Sequence, residues 1–269
     1  MGELMKEIEN FRDLEDTKLN EIKDAFIDAV RKRVAGIRKV GVMFSGGIDS
    51  TMIAKVAKDF TEVVLYSVGT EGSDDLVFAG KVNEKLKLNL RVKVVNENEL
   101  IEIYKNVQSL IEQKDLLKVE LAIPVFLCSE MAKNDGIKVI LCGSGAEELF
   151  AGYDRHLKCY LSGGNLRKML LDELSNLRAN DLERSEQTAM LNQCEVRCPF
   201  LDLRFVELVH SIKPELNLSK KGEKKLVLKR IARELKTPEI ACERPKKAMQ
   251  YGSGIHKILL RAVKKNLIT

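Results

Sequence analysis

The chain has 269 residues, 45% of them apolar, and a formal charge of +5, enough for one large domain or two small ones around a sizeable core. No apolar run reaches the roughly 18–20 residues that cross a bilayer, and the start MGELMKEIENF is charged where a signal peptide is apolar. A soluble, cytoplasmic protein is therefore expected, with its six scattered cysteines (Cys128, Cys142, Cys159, Cys194, Cys198 and Cys242) reduced, since none forms a CxxC pair.

Residues 3–38 read as helix, because Leu19, Ile22, Phe26, Ala29 and Val30 recur at spacings of three and four between charges. Val40–Phe44 then reads as a buried strand, Thr51–Asp59 as a helix, Val63–Val68 as a second strand and Ser73–Leu86 as a helix. Leu90–Val95 is a third strand, Glu99–Gln113 and Pro124–Asp135 are helical, and Lys138–Cys142 is another strand. From about residue 158 the strand signal disappears and helical patterns run to the end. Nearly all-apolar strands alternating with helices indicate an α/β fold, a parallel doubly wound sheet covered on both faces. Ligands of such sheets sit at the carboxyl ends of the strands.

Three loops leave those ends: SGGIDS (45–50), GTEGSDD (69–75) and GSGAEE (143–148). The first exposes a row of N–H groups at a helix start, which suits a phosphate. It is not a Walker loop, for no GxxxxGKS or GxxxxGKT occurs. Gly46 and Gly47 permit close backbone approach, Ser45 and Ser50 carry hydroxyl donors, and Asp49 can hold Mg²⁺ on the phosphates. A capped helix after a glycine turn is the plain alternative. Glu147 and Glu148 fall just past a strand end, where a carboxylate can share Mg²⁺ with Asp49 or simply favour a helix start. Residues 213–247 hold twelve Lys and Arg against five Glu, a solvated helical face or a surface for polyanions.

SGGIDS resembles the loop of the PP-loop ATP pyrophosphatases, which grip the β- and γ-phosphates of ATP so that the α-phosphate is attacked. LCGSGAEELFAGY (141–153), EVRCPFLD (195–202), KGEKKLVLKRIA (221–232) and RPKKAMQYG (244–252) follow in the order and spacing of the synthetase domain of asparagine synthetases. EGSDDL (71–76) is similar to the segment after that family's adenine-facing strand, and endings such as KKAMQYGS and GYDRH resemble the asparagine synthetase domain-containing subgroup.

The resemblance implies an adenine nucleotide alpha hydrolase-like sheet with an N-terminal helical segment (1–38), the ATP pyrophosphatase core (39–157) and a helical C-terminal part (158–269). It implies an AMP- and pyrophosphate-forming ligase that adenylates a carboxylate and transfers ammonia or an amine. ATP would be bound by Ser45, Gly46, Gly47, Asp49, Ser50, Val68, Gly69, Gly143, Ser144 and Gly145, and Mg²⁺ by Asp49 and Glu147. Lys225 and Lys246 match lysines that neutralise pyrophosphate charge, and with Glu147 they form the implied catalytic set.

Two departures bear on the substrate. Ser144 stands where bacterial asparagine synthetases carry an acidic residue assigned to the attacking ammonia or the intermediate, and Glu120 where they have an Arg for the substrate carboxylate. Residue 2 is Gly rather than a glutaminase nucleophile, so ammonia is expected from solution or from a separate glutaminase subunit. A tRNA-modifying enzyme or sulfurtransferase, with an iron–sulfur cluster on three of Cys142, Cys194 and Cys198, and a non-catalytic nucleotide-binding protein stay open, as does a homodimer. Arg197 is expected to anchor a loop through a carboxylate such as Asp202, His156 to pack or hydrogen-bond, and Tyr153 and Arg155 to lie near the acceptor or on a surface loop.

Overall fold

A computed structural model describes residues 16–111, 115–244 and 249–268. Helix α1 (Asp16–Val34) leads into strand β1 (Lys39–Met43), α2 (Ile48–Ala57), β2 (Glu62–Gly69), α3 (Asp74–Leu86) and β3 (Asn89–Val94). Two helices, α4 (Glu97–Leu110) and α5 (Leu116–Asn134), precede β4 (Val139–Leu141). The remainder comprises α6 (Ala146–Leu149), α7 (Asp154–Leu161), α8 (Leu166–Leu177), a π-helical turn (Arg178–Leu182), α9 (Glu183–Met190), β5 (Glu195–Arg197), α10 (Leu203–His210), α11 (Leu226–Glu234), α12 (Glu239–Glu243), α13 (Met249–Gly252) and α14 (Ile255–Lys264).

All strand pairs are parallel and the sheet order is β3-β2-β1-β4-β5. The chain winds outward from β1 through β2 to β3, then crosses to the other side of β1 to lay down β4 and β5. That reversal makes a crevice outside the carboxyl ends of β1 and β4, between the loops SGGIDS and GSGAEE. The two loops touch, since a Cβ built on Gly143 lies 3.0 Å from Cβ of Asp49.

Strand alternation sorts the core onto two faces. Val63 and Leu65 of β2 join a cluster with Phe26 of α1, Met52 of α2, Phe205 of α10 and Ile231 of α11, whereas Val64, Tyr66 and Val68 join one with Leu100 of α4, Ile123 of α5 and Leu259 of α14. Phe26, Phe150, Phe200 and Phe205 stack with centroids 5.0–6.5 Å apart under the crevice. Their tilted and edge-on rings fill the volume that places α1 and α10 beneath the loops.

The expected elements are present with two corrections. A fifth strand, β5, lies in the half read as helical. Its three residues carry Glu195 and Arg197 around one apolar Val196, too short and too charged an edge strand to show alternation. Helix α5 begins at Leu116, capped by Asp115, whose side chain accepts from Lys118 N at 3.1 Å, and continues through Pro124. Pro124 costs one backbone bond to Glu120 without ending the helix, so it does not mark the start assigned to it. Gln113 and residues 3–15 of the expected helices lie outside the described residues.

Candidate active site

Helix α2 starts three residues earlier than its hydrophobic period suggests. Gly47 is the N-cap with φ −78° and ψ 165°, and Thr51 N donates the first helical bond to Gly47 O at 3.0 Å. Asp49 and Ser50 therefore sit in the first helical turn, where the N–H groups have no intrahelical partner. The Ser50 hydroxyl donates to Gly47 O at 3.2 Å and Gly47 N donates to Ser45 Oγ at 3.3 Å, which tightens the loop around this turn.

Lys225, at the N-cap of α11, reaches across the crevice. Its Nζ lies 2.8 Å from both oxygens of Asp49 and 2.7 Å from Glu147 Oε1, and the residue is 5% exposed. Two chain segments far apart in sequence thus aim carboxylates at one ammonium. Gly152 makes room for them, because a Cβ there falls 1.5 Å from Glu147 Oε2 and 2.5 Å from Lys225 Cε.

The surrounding cavity measures about 830 Å³, within the usual range for a small-molecule site. Of the residues expected at the site, Ser45, Gly47, Asp49, Ser50, Val68, Gly143, Ser144, Gly145, Glu147 and Lys225 line it. Gly46 and Gly69 act behind the wall instead: Gly46 lets the loop lie against the backbone of Phe78, and Gly69 abuts Ser73 and the carbonyl of Ser253. Lys246 lies outside the described residues.

Arg244 is a cavity residue that sequence reasoning passed over. Its guanidinium donates to Ser45 O and to Asp75, and stacks over the Phe78 ring at 4.6 Å. It thereby ties the phosphate loop to the start of α3. Asp75 and Arg244 lie in the quoted strings EGSDDL and RPKKAMQYG, but neither string says that they meet.

At the other end of the cavity, Ser144 Oγ donates to Asp181 at 3.0 Å. Asp181 stands on the π-helical turn and is also held by the almost fully buried Arg184, which donates to Asn180 O at 2.9 Å. The Tyr153 hydroxyl donates to Glu148 at 3.1 Å. His156 accepts from Tyr153 N at 3.3 Å through Nδ1 and meets Glu173 at 2.9 Å through Nε2, so that neutral ring donates to Glu173. Burial pushes its pKa down against the pull of Glu173. Arg155 pairs with the same Glu173 through two 2.6 Å bonds and covers the Tyr153 ring.

The asparagine synthase family model matches residues 21–165 and 161–268. The chain belongs to the asparagine synthase family. Over 96% of its length it is 40% identical to a chain of Methanocaldococcus jannaschii (strain ATCC 43067 / DSM 2661 / JAL-1 / JCM 10045 / NBRC 100440) that bears the name of a glutamine-hydrolyzing asparagine synthetase, 55% of which is covered. It is 31% identical over 89% of its length to the glutamine-hydrolyzing asparagine synthetase of Gallus gallus, 44% of which is covered. The chain thus spans about half the length of the curated relatives it matches. A looser likeness, from which nothing is drawn, is to the NH3-dependent NAD synthetase of Campylobacter jejuni subsp. jejuni NCTC 11168, at 16% identity and TM-score 0.46 over 92% of this chain and 84% of that one.

Within this family member the structure corrects three sequence expectations. Glu120 does not face the cavity: it is 1% exposed and meets His256 Nδ1 at 2.9 Å on the far side of α5, while its neighbours Leu117, Leu121 and Pro124 line the cavity. Asp202 pairs with Arg33 at 2.6 Å, and Arg197 pairs with Glu195 at 2.8 Å and donates to Arg33 O at 2.7 Å. No three-cysteine cluster site forms among the described residues. Cys194 donates its thiol to the carbonyls of Ser129 and Ile137 at 3.4 Å, and no group of three or more His, Cys, Asp or Glu among the described residues is arranged to hold a metal. Cys142 and Cys198 do meet after the paired strands β4 and β5, and their shared hydrogen bond pulls the Cys142 thiol below its ordinary range. Among the described residues no helix is long and apolar enough to cross a membrane.

Asp49 and Glu147 fit Mg²⁺ on their chemistry. They are two hard oxygen donors already converging on a cation, and Mg²⁺ is commonly held by one or two carboxylates with substrate phosphates completing its shell.

Glu148 carries a pH prediction. Burial, with Glu147 adding repulsion, raises its carboxyl above the ordinary range. The folded chain therefore keeps a proton that the unfolded chain releases, and stability falls as pH rises from the unfolded value through the folded one. Glu148→Gln, still able to accept from Tyr153, is expected to raise the melting temperature at neutral pH and to lose that advantage in acid. Parallel melting curves that never diverge with pH contradict it.

Proposed function

We propose that the chain is an ATP-dependent ligase that splits ATP to AMP and pyrophosphate while joining a carboxylate to ammonia or an amine. The observation that carries this reading is the Lys225 ammonium clasped by Asp49 and Glu147 at the start of α2, inside a cavity large enough for a nucleotide and a second substrate. Family membership supports it.

In this reading the β- and γ-phosphates rest on the N–H groups of the first turn of α2. Asp49 and Glu147 would hold Mg²⁺, which supplies neutralising charge for the phosphates. An oxygen of the substrate carboxylate bonds to the α-phosphorus as the bond to the β-bridging oxygen breaks, and Lys225 stabilises the departing pyrophosphate. Nitrogen then attacks the acyl carbon, and the carbon–oxygen bond breaks with its electron pair leaving on AMP. Asp181 supplies the carboxylate that position 144 lacks: as a base beside the Ser144 hydroxyl, it takes the proton an arriving ammonium must lose.

The test is product analysis by mass spectrometry after incubation with ATP, Mg²⁺, aspartate and ammonium, and with other carboxylates in place of aspartate. AMP, pyrophosphate and amide formed in equal amounts support the reading; ADP as product, or cleavage that survives Asp49→Ala, overturns it. Asp181→Asn is expected to slow the ammonium-dependent reaction on the order of 10²-fold and to spare hydroxylamine, which is uncharged at neutral pH.

A further inference from the structure

Two side chains that line the cavity each carry a buried polar atom with no hydrogen-bond partner among the described residues, Gln250 at Oε1 and Ser67 at Oγ. Gln250 is 6% exposed and Ser67 2%. Leaving a buried acceptor unmade is costly, and buried polar groups are nearly always bonded, so an unpaired acceptor on a cavity-lining side chain points to a ligand that brings a donor.

The walls around Gln250 restrict what that ligand is. Val68 at the end of β2, Leu117, Leu121 and Pro124 of α5 and Met249 of α13 line the same cavity, giving its side next to β2 an apolar surface. Helix α13 packs on α5, and α5 packs on β2. The chain after α13 is tied to the end of β2, where Thr70 N donates to Ser253 O at 2.8 Å. Gln250 is thus the buried, unmet acceptor on an apolar slot, one strand over from the phosphate loop after β1. A nucleotide whose phosphates sit on α2 can lay a flat, apolar ring in that slot, and the ring must present an N–H donor at its edge.

We propose that Gln250 reads the nucleobase, its side-chain oxygen accepting a hydrogen bond from the exocyclic amine of adenine, so that it sets selectivity for an amino purine over an oxo purine. The inference rests on the ATP-binding part of the function proposed above. Inosine triphosphate keeps the ring, ribose and phosphates of ATP but places an oxygen where adenine has its amine, and two facing acceptors repel.

Equilibrium titration of the full chain with Mg²⁺–ATP and Mg²⁺–ITP by calorimetry tests this. The wild type is expected to bind ATP roughly ten- to a hundredfold more tightly than ITP. Gln250→Leu is expected to bring the two affinities to within a few-fold of each other, chiefly by weakening ATP. Gln250→Glu, which retains an acceptor oxygen, is expected to keep the preference, so the inference stays open to refutation should the leucine variant not fold. An ATP-to-ITP ratio near one in the wild type, or an unchanged ratio in Gln250→Leu, overturns the role of Gln250 while leaving ATP binding standing. Failure of the wild type to bind either nucleotide overturns the ATP reading itself and the inference with it.

Discussion

Lys225→Met is expected to lower the rate of pyrophosphate release on the order of 10²–10³-fold and to destabilise the nucleotide-free chain by about 3–5 kcal/mol. Both effects have one origin. Lys225 is a buried cation between Asp49 and Glu147, and a methionine of similar length fills the space while leaving two carboxylates to repel each other. Added Mg²⁺ is then expected to raise the melting temperature of the variant more than that of the wild type, because the carboxylates no longer have an internal partner and ligand binding stabilises by mass action. Thermal denaturation with and without Mg²⁺, beside a pyrophosphate assay, checks both. A variant that melts and turns over like the wild type removes Lys225 from the site.

Gly46→Ala is the second substitution with a large expected effect, roughly 2–5 kcal/mol of stability together with loss of nucleotide binding. Gly46 has φ +74°, and a Cβ there lies 2.6 Å from the carbonyl carbon of Phe78 and 2.8 Å from the nitrogen of Ala79. Those atoms are the backbone of α3 and cannot swing aside as a side chain would. Gly72 supplies the control. Its φ is +67° with nothing within 4 Å of an added Cβ, so Gly72→Ala incurs the backbone cost alone, about 1–2 kcal/mol. Denaturant midpoints that move equally for the two variants contradict the steric account.

The core α/β rhythm was legible because β1, β2 and β4 are buried on both faces and their apolar runs stand out against charged helices. The SGGIDS loop was legible as part of the cavity because glycines, a hydroxyl and a carboxylate at a strand-to-helix junction have few other uses. What escaped the sequence depends on distant segments meeting. Arg244 and Asp75 are 169 residues apart, and nothing local to either announces the pair. Glu120 was assigned to the cavity by its match to a family Arg, but successive helical residues point in different directions, and its side chain falls on the His256 side. Strand β5 was missed because three half-exposed residues at a sheet edge carry no period. Asp181 had no signal at all, since a π-helical turn breaks the 3.6-residue pattern from which helical faces are read.

That turn has a consequence for which changes the protein tolerates. Each residue of an α-helix advances the chain by about 100° around the axis, so the extra residue of the turn Arg178–Leu182 sets the phase at which α9 resumes after α8. Removing one residue between 178 and 182 would re-form a continuous α-helix, swing Asp181 away from Ser144 and rotate the buried Arg184 toward solvent. The length of this segment is therefore a heritable trait separate from its composition: side chains there other than Asp181 can drift, while a single-codon deletion erases the geometry at once.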